Sequence, residues 1–112
     1  MSMSETTISA TGQVITLINV FTVEPSQQDR LVEAWQRSTD DVIRHLPGFV
    51  SANIHRSLDG TKVVNYAQWE SVQAFNGMLA DPEAREWLDQ LSRIGTPAPV
   101  LCAVVSVHHA VD

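Results

Sequence analysis

Residues 48–71, GFVSANIHRSLDGTKVVNYAQWES, constrain the fold more than any other stretch of this chain. Two runs rich in β-branched, aromatic and aliphatic residues flank an Asp59-Gly60 turn signal. Runs 49–56 and 62–69 therefore form a β-hairpin. Pairing Ser57 with Thr61 sets His55 opposite Val63, Asn53 opposite Asn65 and Phe49 opposite Trp69. Side chains alternate along a strand, so one face then carries Phe49, Ser51, Asn53, His55, Val63, Asn65, Ala67 and Trp69. A histidine, two asparagines and a tryptophan on one face suggest a pocket rather than a plain core. The other face, Val50, Ala52, Ile54, Val64, Tyr66 and Gln68, is also largely apolar, so both faces need cover.

The remaining elements follow from periodicity and punctuation. Residues 14–23 alternate as a strand that ends at Pro25-Ser26, with Asn19 in the same parity as Ile15, Leu17 and Phe21. A helix over 27–45, capped by Ser26, carries the apolar stripe Leu31, Val32, Trp35, Val42, Ile43 and Leu46, and Pro47-Gly48 closes it. Ser71 caps a short helix to about 79. Asp81-Pro82-Glu83 starts another, with Trp87, Leu88 and Leu91 inward and its end near Gly95. The closing strand, 100–108, is nearly continuous in aliphatic and small residues and calls for cover on both sides. This order is that of a ferredoxin-like α+β unit, βαββααβ, with an antiparallel sheet and helices on one side. Its apolar opposite face predicts a homodimer packed sheet on sheet.

Composition narrows the classes. With 112 residues the chain forms one domain, over 13–112, after a loose polar tail at 1–12. Seven Lys+Arg against 13 Asp+Glu give a net charge of −6, which disfavours nucleic acid and anionic membranes as partners. No apolar run approaches a bilayer span, and the amino-terminal residues lack a basic-then-apolar leader, which points to the cytoplasm. The single cysteine, Cys102, forms no internal disulfide and belongs to no zinc-type cluster; it reads as a small buried hydrophobe in a strand, and no metal is expected.

Within this element order, GFVSANIHRSLDGTKVVNYAQWES, and VVNYAQWES above all, resembles the antibiotic biosynthesis monooxygenase family, in particular the small cofactor-free, quinone-forming anthrone oxygenases of aromatic polyketide pathways. The resemblance spans residues 14–108. It implies a dimeric α/β barrel with a pocket between each sheet and its own helices. It also implies oxidation of electron-rich phenols or anthrones by O2 as co-substrate, without metal, haem or flavin. Asn65 and Trp69 match the family's asparagine and tryptophan, and His55 its strand histidine; a family tyrosine six positions after the tryptophan is here Phe75, and Arg85 is the nearest candidate for a helical arginine.

The chemistry suits these side chains. An anthrone carbon between aromatic rings is acidic, and its anion is electron-rich enough to pass an electron to O2. Asn65 and Trp69 offer N–H donors to the developing enolate oxygen, and His55 offers an imidazole as base. Asparagine is disfavoured inside a strand, so Asn65 requires either a buried partner or a ligand, and Asn19 shares that oddity. Trp35 and Trp87 sit in helix stripes, as core residues first and pocket lining second. Substrate contacts are thus expected from Asn19, Trp35, Asn53, Phe75, Arg85 and Trp87. Two other readings stand beside this one. Haem degradation on the same fold uses a helical histidine, and residues 70–94 contain none. The other is a dimeric binding or structural module without catalysis.

Overall fold

The computed structural model describes residues 4–111. Its elements are β1 (Ile15–Thr22), α1 (Gln28–Asp41), β2 (Phe49–Arg56), β3 (Lys62–Trp69), α2 (Val72–Ala80), α3 (Pro82–Ile94) and β4 (Pro99–Cys102). The four strands lie in the order β2-β3-β1-β4, every neighbouring pair antiparallel, as a ferredoxin-like unit requires. Leu17, Phe21, Val63 and Trp69 from the sheet meet Leu31, Trp35, Phe75 and Leu91 from the helices in one core. Burying each such side chain stabilises the fold by about 1.5–3 kcal/mol.

Helix starts follow the expected chemistry at α2 and α3. Ser71 Oγ accepts from Ala74 N at 3.0 Å, and Asp81 Oδ2 accepts from Ala84 N at 3.0 Å with Pro82 in the first turn. At α1 the expectation fails. Pro25 opens a 3-10 turn over Pro25–Gln27, so Ser26 is no cap, and the helix begins after Gln27 with no side-chain cap. Gln28 instead reaches the hairpin, its Nε2 donating to Ser57 O at 2.9 Å and Lys62 O at 3.0 Å. The far end also differs. The helix stops at Asp41, and a separate 3-10 turn over Ile43–His45 carries the chain to Pro47. Gly48 follows with φ +82; a Cβ there would meet Ala74 Cβ at 2.3 Å, so only glycine permits this approach of β2 to α2.

The hairpin forms, but its register departs from the simple pairing. Ser57 N donates to Lys62 O at 3.0 Å, closing a loop of four residues, 58–61, rather than three. Asp59 holds Thr61 inside that loop, its Oδ1 accepting from Thr61 N at 3.0 Å, Thr61 Oγ1 at 2.7 Å and Ser57 Oγ at 2.8 Å. The extra residue slides β2 by one, pairing His55 with Val64 and Asn53 with Tyr66; an irregularity between Phe49 and Ser51 then restores Phe49 opposite Trp69. A slip of one exchanges faces. Ala52 and Ile54 thus turn toward the helices, where they pack on the core, and Ser51, Asn53 and His55 turn away from them.

β4 is shorter than expected, ending at Cys102 rather than 108. The cause is its partner. Cys102 pairs with Thr16, one residue from the start of β1, so residues 103–111 have no strand left to pair with and lie largely exposed. Cys102 lies in a strand as expected, though half-buried at its end. The amino-terminal segment is less loose than its composition suggests. Thr6 Oγ1 donates to Asn53 Oδ1 at 2.5 Å and Gln68 Nε2 donates to Thr7 O at 2.8 Å, tying it to the sheet face that points away from the helices.

Candidate active site

A cavity of about 330 Å³ lies between the sheet and the helices, inside the range of roughly 300–1,000 Å³ usual for small-molecule sites. β1 and β3 supply its floor with Leu17, Asn19, Asn65, Ala67 and Trp69; α1 and α2 cover it with Trp35, Thr39, Phe75 and Met78. Pro97, Pro99 and Leu101, around the start of β4, form one side. These positions follow from parity. Asn19 pairs with Asn65 across β1 and β3, so the two amides share the helix-facing side.

Trp69 is 1% exposed and sits edge-to-face with Phe49, centroids 5.4 Å apart, and with Phe75 at 6.4 Å. Such pairs fix the indole plane and make it a rigid wall. Asn19 has an internal task, accepting from Ala98 N at 3.2 Å and so holding the segment that bears Pro97 and Pro99. Asn65 does not. It is 3% exposed, and its Oδ1 has no hydrogen-bond partner among the described residues. Trp35 Nε1 is in the same condition, and so is Thr16 Oγ1, on the far face of the sheet. A buried polar group without a partner is costly, and its presence at a cavity wall marks a place for a ligand.

Apart from Thr39 and Ser92, the rest of the lining among the described residues is apolar. None of the residues around the cavity is Asp, Glu, His, Lys, Arg, Tyr or Cys. The site can therefore donate and accept hydrogen bonds and exclude water, but no titratable side chain lines it. The shifted carboxylate, Asp59, lies instead at the exposed hairpin tip, held down to about 2 by hydrogen bonds from the Thr61 side chain, the Thr61 backbone and the Ser57 side chain.

Of the residues singled out in the sequence, Asn65, Trp69, Asn19, Trp35 and Phe75 come together around this cavity. Four do not. The register slip puts His55 and Asn53 on the opposite face; His55 is exposed, its Nδ1 2.9 Å from Asn53 O. Arg85 is exposed on α3, one position after the buried Ala84 and so off its inward stripe. Trp87 packs half-buried against the core and does not reach the cavity lining. Ala52, which the simple pairing sent outward, lines the cavity, as do Met78 and Leu88. Met78 lies three positions after Phe75, a helical spacing visible in the chain; the turn of Ala52 depends on the loop length, which no periodicity reports.

Comparison with known proteins agrees with this geometry. A family model described as "Antibiotic biosynthesis monooxygenase" matches residues 14–90. Tetracenomycin-F1 monooxygenase of Streptomyces glaucescens is 46% identical over 98 residues, which cover 88% of each chain. Among solved structures, a monooxygenase from the gene ActVA-Orf6 of Streptomyces coelicolor, in complex with nanaomycin D, superposes with a TM-score of 0.78 at 38% identity over 87% of this chain and 92% of its own. SnoaB of Streptomyces nogalater, described as a cofactor-independent oxygenase, superposes with a TM-score of 0.72 at 25% identity over 86% of this chain and 97% of its own.

Proposed function

We propose that this chain, which belongs to the antibiotic biosynthesis monooxygenase family, oxidises a polycyclic aromatic of the anthrone or phenol type to a quinone with O2 and no cofactor. One observation carries the reading: an unpartnered asparagine amide, Asn65, lies beside Trp69 in an apolar cavity between the sheet and its helices. The names of its relatives, a tetracenomycin-F1 monooxygenase, a monooxygenase solved with nanaomycin D and a cofactor-independent oxygenase, support it.

The reaction needs little from the protein beyond anion stabilisation. The methylene carbon of the anthrone loses a proton, and the charge spreads to the enolate oxygen. Asn65 Nδ2 donates to that oxygen. Trp69 supplies a flat wall and an indole donor. In a largely apolar site these donors are stronger than in solution. The anion passes one electron to O2; the resulting radical pair joins as a peroxide at the same carbon, which takes up a proton. Loss of the second carbon-bound hydrogen with cleavage of the O–O bond releases water and leaves the carbonyl. With no titratable side chain in the lining among the described residues, the first proton passes to water at the open side of the cavity, and the donors that stabilise the anion make its loss easier. The lining also offers haem no histidine, cysteine or tyrosine as an iron ligand.

The working form is a homodimer. Ile18, Val20, Val64 and Tyr66 lie half-buried on the sheet face away from the helices, and residues 103–111 run on from β4 with Val105 89% exposed. A second copy covers such surfaces. Its partners are thus a small aromatic, O2 and its own copy. Among the described residues no helix is long and apolar enough to cross a membrane, and a free Cys102 suits the reducing cytoplasm.

Oxygen uptake with a test anthrone, under chelator and with quinone measured by chromatography, tests the activity. Stoichiometric uptake and quinone formation are expected. No quinone above the uncatalysed rate, or activity abolished by the chelator, overturns the reading. Sedimentation at micromolar concentration is expected to give a dimer, and a monomer there overturns that part.

A further inference from the structure

We infer that Pro97, Ala98 and Pro99, pinned to β1 by Asn19, form the specificity-determining wall at the mouth of the cavity and set how wide a ring system the protein accepts. Asn19 is then a positioning residue, acting through Ala98. This deepens the reading of the cavity as the substrate site and rests on it.

The mouth is located by exposure. Most residues that line the cavity are buried or half-buried; those exposed to solvent are Ser92, near the end of α3, and Pro97, Pro99, Val100 and Leu101. All five belong to one stretch of chain, 92–101, with Val100 54% and Leu101 39% exposed. A flat aromatic therefore enters past this stretch, and the position of 97–99 decides the width of the opening.

Few hydrogen bonds fix that position. β4 is an edge strand whose one neighbour in the sheet is β1. Just ahead of it, Thr96 is secured by a reciprocal pair, Thr22 N donating to Thr96 O at 2.9 Å and Thr96 N to Thr22 O at 2.8 Å. Regular pairing resumes where Asn19 meets Pro99. Between these points the two prolines offer no N–H, which leaves the Ala98 amide as the one backbone donor of 97–99. It is given not to a backbone carbonyl but to Asn19 Oδ1 at 3.2 Å, while Ala98 O accepts from Val20 N at 3.3 Å. Asn19, 8% exposed on the cavity floor, thus makes one of the two bonds that hold Ala98 to β1. The proline rings restrict φ on either side of Ala98, so the wall has few ways to yield while that bond holds.

The test sets anthrone against an anthrone bearing a tert-butyl group on an outer ring, which has the same reacting carbon and a wider outline. Oxygen uptake gives kcat and KM for each. The unaltered protein is expected to favour anthrone in kcat/KM by at least about tenfold, the scale on which a packed pocket rejects added carbon. Ala98→Pro removes the pinning N–H and puts a ring carbon where it pointed, without altering a lining side chain. There the preference is expected to fall to about threefold or less, through a lower KM for the wider substrate, with kcat on anthrone kept within about twofold. An unchanged preference in a folded Ala98→Pro protein, or no preference in the unaltered one, overturns the inference while the activity stands. If the unaltered protein oxidises neither ligand, the reading of the cavity itself fails and takes the inference with it. A second measurement does not depend on that variant folding. In amide exchange the Ala98 N–H is expected to be protected at least about tenfold over an unfolded chain, although its residue is exposed. Asn19→Ala is expected to remove that protection and to leave that of Thr96 N, which Thr22 holds. An unprotected Ala98 amide in the unaltered protein, or protection lost at both positions or at neither in Asn19→Ala, overturns the inference.

Discussion

Asn53 and Asn65 stand on neighbouring strands of one sheet, yet they face opposite ways and live in opposite circumstances. On the face away from the helices, Asn53 Nδ2 donates to Tyr66 O at 2.9 Å and to Ser51 Oγ at 3.3 Å, and its Oδ1 accepts from Thr6. The network continues, with Ser51 Oγ donating to Gln68 Oε1 at 2.6 Å and Gln68 Nε2 to Thr7 O at 2.8 Å. Polar groups in this network answer one another, while Thr16 Oγ1 on the same face is buried without a partner. On the helix-facing side, Asn65 is more deeply buried and its Oδ1 has nothing to answer it. The same residue type in the same kind of strand thus does two jobs. A satisfied amide specifies structure, and an unsatisfied one at a cavity marks the place of a ligand.

The largest expected effect lies on the helix-facing side. Asn65→Ala removes a donor needed most in the transition state, so kcat on an anthrone should fall by about 10²–10³-fold. Its melting temperature should hold or rise, because deleting an unpartnered buried amide relieves a cost. Trp69→Phe keeps the wall and loses the indole donor, and kcat should fall in the same direction. Steady-state oxygen uptake paired with thermal melts checks both. A folded Asn65→Ala protein with unchanged kcat would remove the distinction between the two asparagines.

Asn53→Ala should show the reverse. It leaves Tyr66 O, Ser51 Oγ and Thr6 Oγ1 without their shared partner, which costs about 1–3 kcal/mol and lowers the melting temperature by roughly 4 °C per kcal/mol. The kcat should stay at the unaltered value. A drop in kcat without a change in melting temperature would place Asn53 with the chemistry instead.

Most of this fold was legible before any coordinates. Alternation in 14–23 and 62–69, the Asp81-Pro82 start and the Ser71 cap all act through short-range rules, and each appears where those rules put it. So does the grouping of Asn19, Asn65 and Trp69, because parity within one strand and pairing between two long strands leave little freedom. His55 and Asn53 were misplaced for a different reason. Their facing depends on whether the loop holds three residues or four, and that is decided by hydrogen bonds from Thr61 and Ser57 to the Asp59 carboxylate, not by any pattern of apolar residues. The end of β4 was hidden likewise, since it is fixed by where β1 begins. Trp35 was visible as a helix-stripe residue, but its unpaired Nε1 is a fact of three-dimensional packing.

Because Asp59 holds the loop that decides which way β2 faces, it offers a subtler test. Its carboxyl is lowered from 3.8 to about 2 in the folded chain by the Thr61 side chain, the Thr61 backbone and the Ser57 side chain. A folded value below the unfolded one means that the carboxylate favours the native state. That contribution is fully present above 3.8 and is lost as pH falls through about 2. Asp59→Asn should therefore be less stable than the unaltered protein near neutrality, with the gap closing in strong acid. Urea midpoints across that range measure it, and a gap that widens on acidification would contradict the assigned hydrogen bonds.

His55→Ala is expected to do the least, and for that reason it separates the two faces most cleanly. Were the simple pairing correct, the imidazole would stand beside Asn65 as the base that takes the anthrone proton, and its loss would slow the reaction chiefly below the substrate's own pKa. In the observed register His55 pairs with Val64, is exposed, and has its Nδ1 beside Asn53 O on the face away from the cavity. The sheet itself lies between the imidazole and the cavity. The pH–rate profile of His55→Ala should thus overlay that of the unaltered protein along its whole length, with kcat and KM both preserved. Profiles recorded on one anthrone, under air and with chelator present, make the comparison. A rate deficit confined to the acid limb would return His55 to the role of base, supplied across the dimer by the partner copy, and would mean that the cavity of a single chain is not the whole active site.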